Sequence, residues 1–134
     1  MHDLETILER LLEESEGAEL AAVGGMDGLV VEQRPAPGAL ASRTGEPPGG
    51  RSPDLAVCVA ELTNALAGAR RAVGEALEGG AIEAVQVRSE RRLLLVRHVT
   101  PAHYLLLGLR LGANASAAEL ALESAAQQVR ELVR

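Results

Sequence analysis

Over the first dozen positions apolar residues recur at three- and four-residue intervals. Leu4, Ile7, Leu8, Leu11 and Leu12 form one stripe, the spacing of an amphipathic helix. Asp3 stands where an N-cap belongs, and Gly17 ends the segment. Glu9, Glu13 and Glu16 read as a solvated face. The period then changes. Two short apolar runs, 19–24 and 29–33, flank Gly25-Met26-Asp27-Gly28, and Asp-Gly in that position predicts a β-hairpin. A glycine-rich turn invites comparison with phosphate loops. Here no helix follows directly and no Gly-Lys-Ser/Thr is present, so that chemistry is set aside.

Residues 34–52 hold four of the six prolines and predict a flexible Pro/Gly-rich loop, longer than a plain connector. Ser52-Pro53-Asp54 reads as a helix start with Ser52 at the N-cap. The helix can run to Glu78, where Gly79-Gly80 stops it. Leu55, Val59, Leu62, Leu66, Ala69, Val73 and Leu77 share its packing face. Small residues, Ala56, Ala60, Thr63, Ala67 and Gly74, line one flank, while Asn64, Gly68, Arg71 and Glu75 lie on the far side with Val57. A row of small side chains permits close helix approach, and Gly68 and Gly74 each cost up to about 1 kcal/mol against Ala in a helix.

Three strands follow, 81–89, 92–99 and 104–111, joined by turns short enough for antiparallel hairpins. The last two are nearly continuous apolar runs, the pattern of strands buried on both faces. A final helix begins near Asn114 or Ser116, with Leu122, Ala125, Ala126, Val129, Leu132 and Val133 as its stripe. The predicted class is α/β (α+β): an α/β/α sandwich on a five-stranded antiparallel sheet, in the order α-β-β-α-β-β-β-α, as one domain over 1–134.

Composition narrows the chemistry. The 134 residues are 47% apolar, with Tyr104 as sole aromatic and neither Phe nor Trp. Every basic residue is Arg, which removes P-loop and Schiff-base lysines, and the lack of aromatics removes base-stacking platforms. A net charge of −6 argues against nucleic acid or an anionic membrane as partner. No run is long enough to span a bilayer, Cys58 has no mate for a disulfide, and the start lacks signal-peptide character, so the expected location is the cytoplasm.

No catalytic set emerges, and no cofactor or metal is expected. His98 and His103 flank one turn without further ligands, and Asp27 and Cys58 are not placed beside them by any motif. Cys58 reads as a packing residue. Arg91-Arg92 reads as an exposed hairpin tip rather than an arginine finger.

The element order, the Ala-rich long second helix and the Met26-Asp27-Gly28-Leu29-Val30-Val31 stretch resemble the roadblock/dynein-light-chain family over nearly the whole chain. The likeness is to the bacterial MglB-like regulators of small Ras-like GTPases. The resemblance implies a homodimer in which the strands near 81–89 pair edge to edge and the long helices lie together. Ala56, Ala60, Thr63, Ala67, Gly74, Ile82, Val85 and Val87 would then form the dimer interface, and Asn64, Gly68, Arg71 and Glu75 would face a GTPase. It implies binding rather than catalysis: a regulator or scaffold that modulates the partner's nucleotide cycle or localisation. Loop 34–52 is longer than a minimal member needs. Two rivals share the element order, a GAF-like small-ligand sensor and a pure dimeric scaffold of a signalling complex.

Overall fold

The computed structural model describes residues 3–36 and 54–133. Helix α1 spans Leu4–Glu14, strands β1 and β2 span Ala18–Gly25 and Val30–Pro35, and helix α2 spans Leu55–Ala69. A π-helical segment, Arg70–Ala76, continues α2. Strands β3 (Ala84–Arg88), β4 (Arg92–Thr100) and β5 (His103–Arg110) and helix α3 (Ala115–Val133) complete the chain. Three helices and five strands appear in the order the periodicity predicts. The sheet order is β2-β1-β5-β4-β3, and each neighbouring pair is antiparallel.

The apolar runs of the sequence find their reason in this order. Strand β5 is central, and Tyr104 through Leu109 are all buried. Its side chains alternate between two cores. Leu105, Leu107 and Leu109 join Leu8, Leu11, Leu122 and Val129 beneath α1 and α3. Tyr104 and Leu106 join Val59, Leu62 and Leu66 beneath α2.

Local capping sets the helix starts. The Asp3 carboxylate accepts from the Thr6 N–H at 2.8 Å, and that bond holds its pKa below the ordinary value. Asn114 Oδ1 accepts from the Ala117 N–H at 3.1 Å. For α2 the cap is Asp54, whose Oδ1 accepts from the Val57 N–H at 3.1 Å, two residues later than the predicted Ser52. Ser52, Pro53 and most of the predicted loop lie outside the described residues. Arg34, predicted to open that loop, instead sits in β2 and pairs with Glu5, Glu9 and Glu32, so Glu9 is not simply solvated.

Three predicted elements differ in detail. The long helix does not stay α-helical to Glu78. From Arg70 it widens to i→i+5 bonding, which turns its last residues out of register with the packing face. Val73 and Leu77, expected on that face, are 43% and 73% exposed. The third strand begins at Ala84 rather than 81, which leaves Ile82 in the connection that precedes it. In α3, Leu132 leaves the predicted stripe and is 45% exposed at the frayed last turn.

Candidate functional site

Tyr104 ties α2 to the sheet. Its Oη donates to the Val59 carbonyl at 3.1 Å and lies 3.1 Å from Thr63 Oγ1. Thr63 in turn reaches the Val59 and Gly25 carbonyls at 2.9 and 3.3 Å. The ring occupies the space above Gly24, where a Cβ would come within 2.7 Å of Cζ. Burial raises the phenol's pKa, so the hydroxyl stays protonated and remains a donor.

This arrangement divides the predicted small-residue strip. Ala56 and Ala60 are exposed and Ala67 is half-buried, so they line an accessible flank of α2. Thr63 is buried within the protomer. Gly74 is small for a local reason: a Cβ there would meet the Gly80 carbonyl oxygen at 2.8 Å. On the far side Asn64, Arg71 and Glu75 are exposed, and a Cβ built on Gly68 meets nothing within 4 Å.

At the sheet edge, Val85 pairs opposite Val96 and Val87 opposite Leu94, which places both valines on the α2 side of the sheet. Helix α2 does not cover them: Val85 is half-buried and Val87 is 44% exposed. A groove of about 670 Å³ runs between the start of α2 and this edge, lined by Leu55, Cys58, Val87, Arg91, Arg92 and Leu94. Burial pushes the Cys58 thiol up in pKa, which makes it a poor nucleophile. Arg92 pairs with Glu19 at 3.4 Å, while Arg91 is exposed at the hairpin.

A second cavity, about 480 Å³, lies beneath the π-helical segment and is lined in part by Arg70, Glu75, Gly80, Ile82, His98 and Pro101. The two predicted histidines part company here. His103 meets Thr100 Oγ1 through Nδ1 at 3.1 Å. His98 packs edge-on against Tyr104, ring centroids 6.3 Å apart, and both its ring nitrogens are shielded without a well-formed hydrogen bond among the described residues. Burial first, and the Arg70 guanidinium second, hold its pKa below the ordinary value, against a weaker opposing pull from the backbone at His103 and Thr100. The ring is therefore neutral at pH 7. Sequence reasoning did not single out Arg70 or this cavity. The one available signal was the trio Gly74, Gly79 and Gly80, a cluster that close backbone approach requires.

Among the described residues, no three His, Cys, Asp or Glu side chains group to hold a metal ion, and no helix is long and apolar enough to cross a membrane.

No protein-family model and no curated protein matches the chain. Solved structures do. The gliding protein MglB from Thermus thermophilus superposes with a TM-score of 0.78 at 20% identity, covering 96% of this chain and 86% of that one. A Roadblock/LC7 domain from Streptomyces avermitilis gives 0.78 at 20% identity, with 98% of each chain covered. MglC from Myxococcus xanthus gives 0.61 at 28% identity, covering 96% of this chain and 97% of that one. With the element order, the sheet order and the helix layers already in place, the chain has a roadblock fold that resembles MglB.

Proposed function

We propose that the protein is a non-catalytic dimeric regulator or scaffold acting in the cytoplasm. It binds a small Ras-like GTPase through its paired long helices and modulates that partner's nucleotide cycle or localisation. The observation that carries this reading is the uncovered α2 side of the β3 edge, where Val87 and Leu94 line a groove with Leu55 and Cys58 of α2 and Val85 is only half-buried, while Ala56 and Ala60 are exposed on α2. An apolar edge strand of this kind invites pairing, and a second copy supplies the same edge by two-fold symmetry. In that dimer Ala56, Ala60, Ala67, Ile82, Val85 and Val87 meet the partner copy, with Thr63 buttressing the helix from within and Gly74 shaping its end. Asn64, Gly68, Arg71 and Glu75 remain on the outer helical surface for the GTPase.

Light scattering coupled to gel filtration at micromolar concentration tests the dimer. Twice the chain mass is expected, and a monomer mass overturns it. For the partner, tagged protein is passed through lysate of its own source with GDP and, separately, with a non-hydrolysable GTP analogue. A small GTPase enriched in one nucleotide state is expected. Gly68→Arg, which has open space for its side chain, should abolish that capture and leave the dimer mass unchanged. Unaltered capture by this variant would move the binding site off α2.

A further inference from the structure

The side chains of β3 restrict how a second copy can join its open edge. Strand β4 pairs with one side of β3, and among the described residues no strand takes the other. Val85 and Val87 lie on the α2 side, and Ala84, Gln86 and Arg88 on the opposite side. Glu83 keeps the same alternation. Its carbonyl accepts from the His98 N–H at 3.0 Å, which continues the ladder beyond Ala84 and puts Glu83 on the α2 side with the two valines.

Symmetry leaves few registers. When the edge is extended antiparallel across a two-fold axis, with both α2 helices on one side of the joined sheet, opposed residues must share a face. Centring the axis on Val85 sets Val87 against Glu83, an apolar side chain against a carboxylate. Centring it on Val87 sets Val85 against Ser89. Centring it on Gln86 sets Val85 against Val87 on both sides of the axis, and puts Arg88 against Ala84 rather than against another arginine. Cross-strand pairs of β-branched side chains stabilise such an edge, and like charges directly opposed weaken it. The Gln86 register is the one that matches valine with valine throughout.

That register also brings opposite charges together. Glu83 falls against Ser89, and Arg91 follows on the turn beyond it. Arg91 lines the groove of about 670 Å³ with Val87 and Leu94, which fixes it on the α2 side, whereas Glu90 is not part of that lining. Glu83 and Arg91 are exposed, and neither makes an ion pair among the described residues. Diagonal neighbours on one face of a sheet lie about 7–8 Å apart, within reach of long side chains. We propose that a second copy of this chain joins at β3 with Val85 opposite Val87 and Gln86 on the two-fold axis, and that Glu83 of each copy pairs with Arg91 of the other at the rim of the groove. The inference rests on the dimer of the proposed function and adds its register and its charged contacts.

Two experiments on the full chain test it. In a Cys58→Ser background, Gln86→Cys should give a covalent dimer on mild oxidation, because Cα atoms of opposed residues lie about 4.5–5.5 Å apart, within the span of a disulfide. Val85→Cys and Val87→Cys should not cross-link, since each faces the other position rather than itself. Sedimentation velocity at low ionic strength reads the charged contacts, which salt would screen. Arg91→Glu and Glu83→Arg should each raise the dimer Kd at least about tenfold, as two contacts per dimer turn from attraction to repulsion. The double reversal should return Kd to within about threefold of the parent, the mark of a coupled pair rather than of damaged folding. The proposal is overturned if Gln86→Cys does not cross-link, if position 85 or 87 cross-links instead, if either single reversal leaves Kd unchanged, or if the double reversal does not restore it. A monomeric parent overturns the dimer reading together with this inference, whereas a dimeric parent that fails these tests overturns this inference alone.

Discussion

The two faces of the sheet are finished to different degrees. Beneath α1 and α3, eighteen buried residues form one core among the described residues. Beneath α2 there are seven, and Val57, Val73, Leu77 and Val87 on that side are all more than two-fifths exposed. Two helices shield the first face and one shields the second, and that one leaves β3 bare. The first face holds the larger core, although Leu120 and Leu132 of α3 remain exposed. The second combines a smaller core with apolar side chains that folding alone does not hide.

The sharpest way to break this contrast is a pair of truncations. Leu122→Ala, beneath α3, should cost about 2–5 kcal/mol in urea unfolding, because it opens a cavity in a closed core. Leu77→Ala, on the α2 side, should stay within about 0.5 kcal/mol, as surface substitutions do. Equal losses would mean the two faces are finished alike.

Where the α2 side is well packed, it is packed tightly. Gly24→Ala drives a methyl group into the Tyr104 ring, and overpacking of this kind should destabilise by about 1–3 kcal/mol. A wild-type denaturation midpoint for this variant would show that Tyr104 can move aside and that α2 is not pinned there.

Acid should loosen the same side selectively. His98 binds its proton more weakly in the folded chain than when unfolded, because burial disfavours the charged ring. The unfolded state therefore holds more protons, and stability is lost as the pH falls through about 6.5 toward the lower folded value. Urea midpoints at pH 7 and pH 5 should show a smaller drop for His98→Phe than for the wild type. Parallel drops would place the acid sensitivity elsewhere, and not at Asp3, whose depressed pKa costs stability only below the ordinary carboxylate range.

The smallest expected effect is a gain. Glu78 occupies a left-handed conformation that glycine adopts without steric cost, so Glu78→Gly should stabilise by about 0.5–1 kcal/mol after the greater freedom of unfolded glycine is deducted. Thermal unfolding measures it. A loss would show that the Glu78 side chain contributes contacts that outweigh the backbone strain.

The sequence alone determined the element types, their order and the fold class. Each rests on a local rule that leaves a visible pattern: the 3–4 spacing from Leu4 to Leu12, the Asp27-Gly28 turn, and the continuous apolar run of β5, whose burial on both faces requires an interior place in the sheet. Strand alternation at two residues also puts Val85 and Val87 on one side of β3, whereas its place at the sheet edge is given by the strand order. What the tertiary structure decided depends on meetings between distant residues. Thr63 looked like one more small residue on an outer strip. Only the approach of Tyr104, 41 positions away, draws its hydroxyl inward. Gly74 looked like a contact for another helix, and it is small because Gly80 folds back against it. The periodicity of Arg70–Ala76 does not signal the switch to π-helical bonding, although Gly74 weakens the segment as a helix. With that switch, Val73 and Leu77 turn outward and a cavity forms over His98. Periodicity records which side of an element is apolar, but whether that side finds a partner within the chain is settled by packing across the sheet.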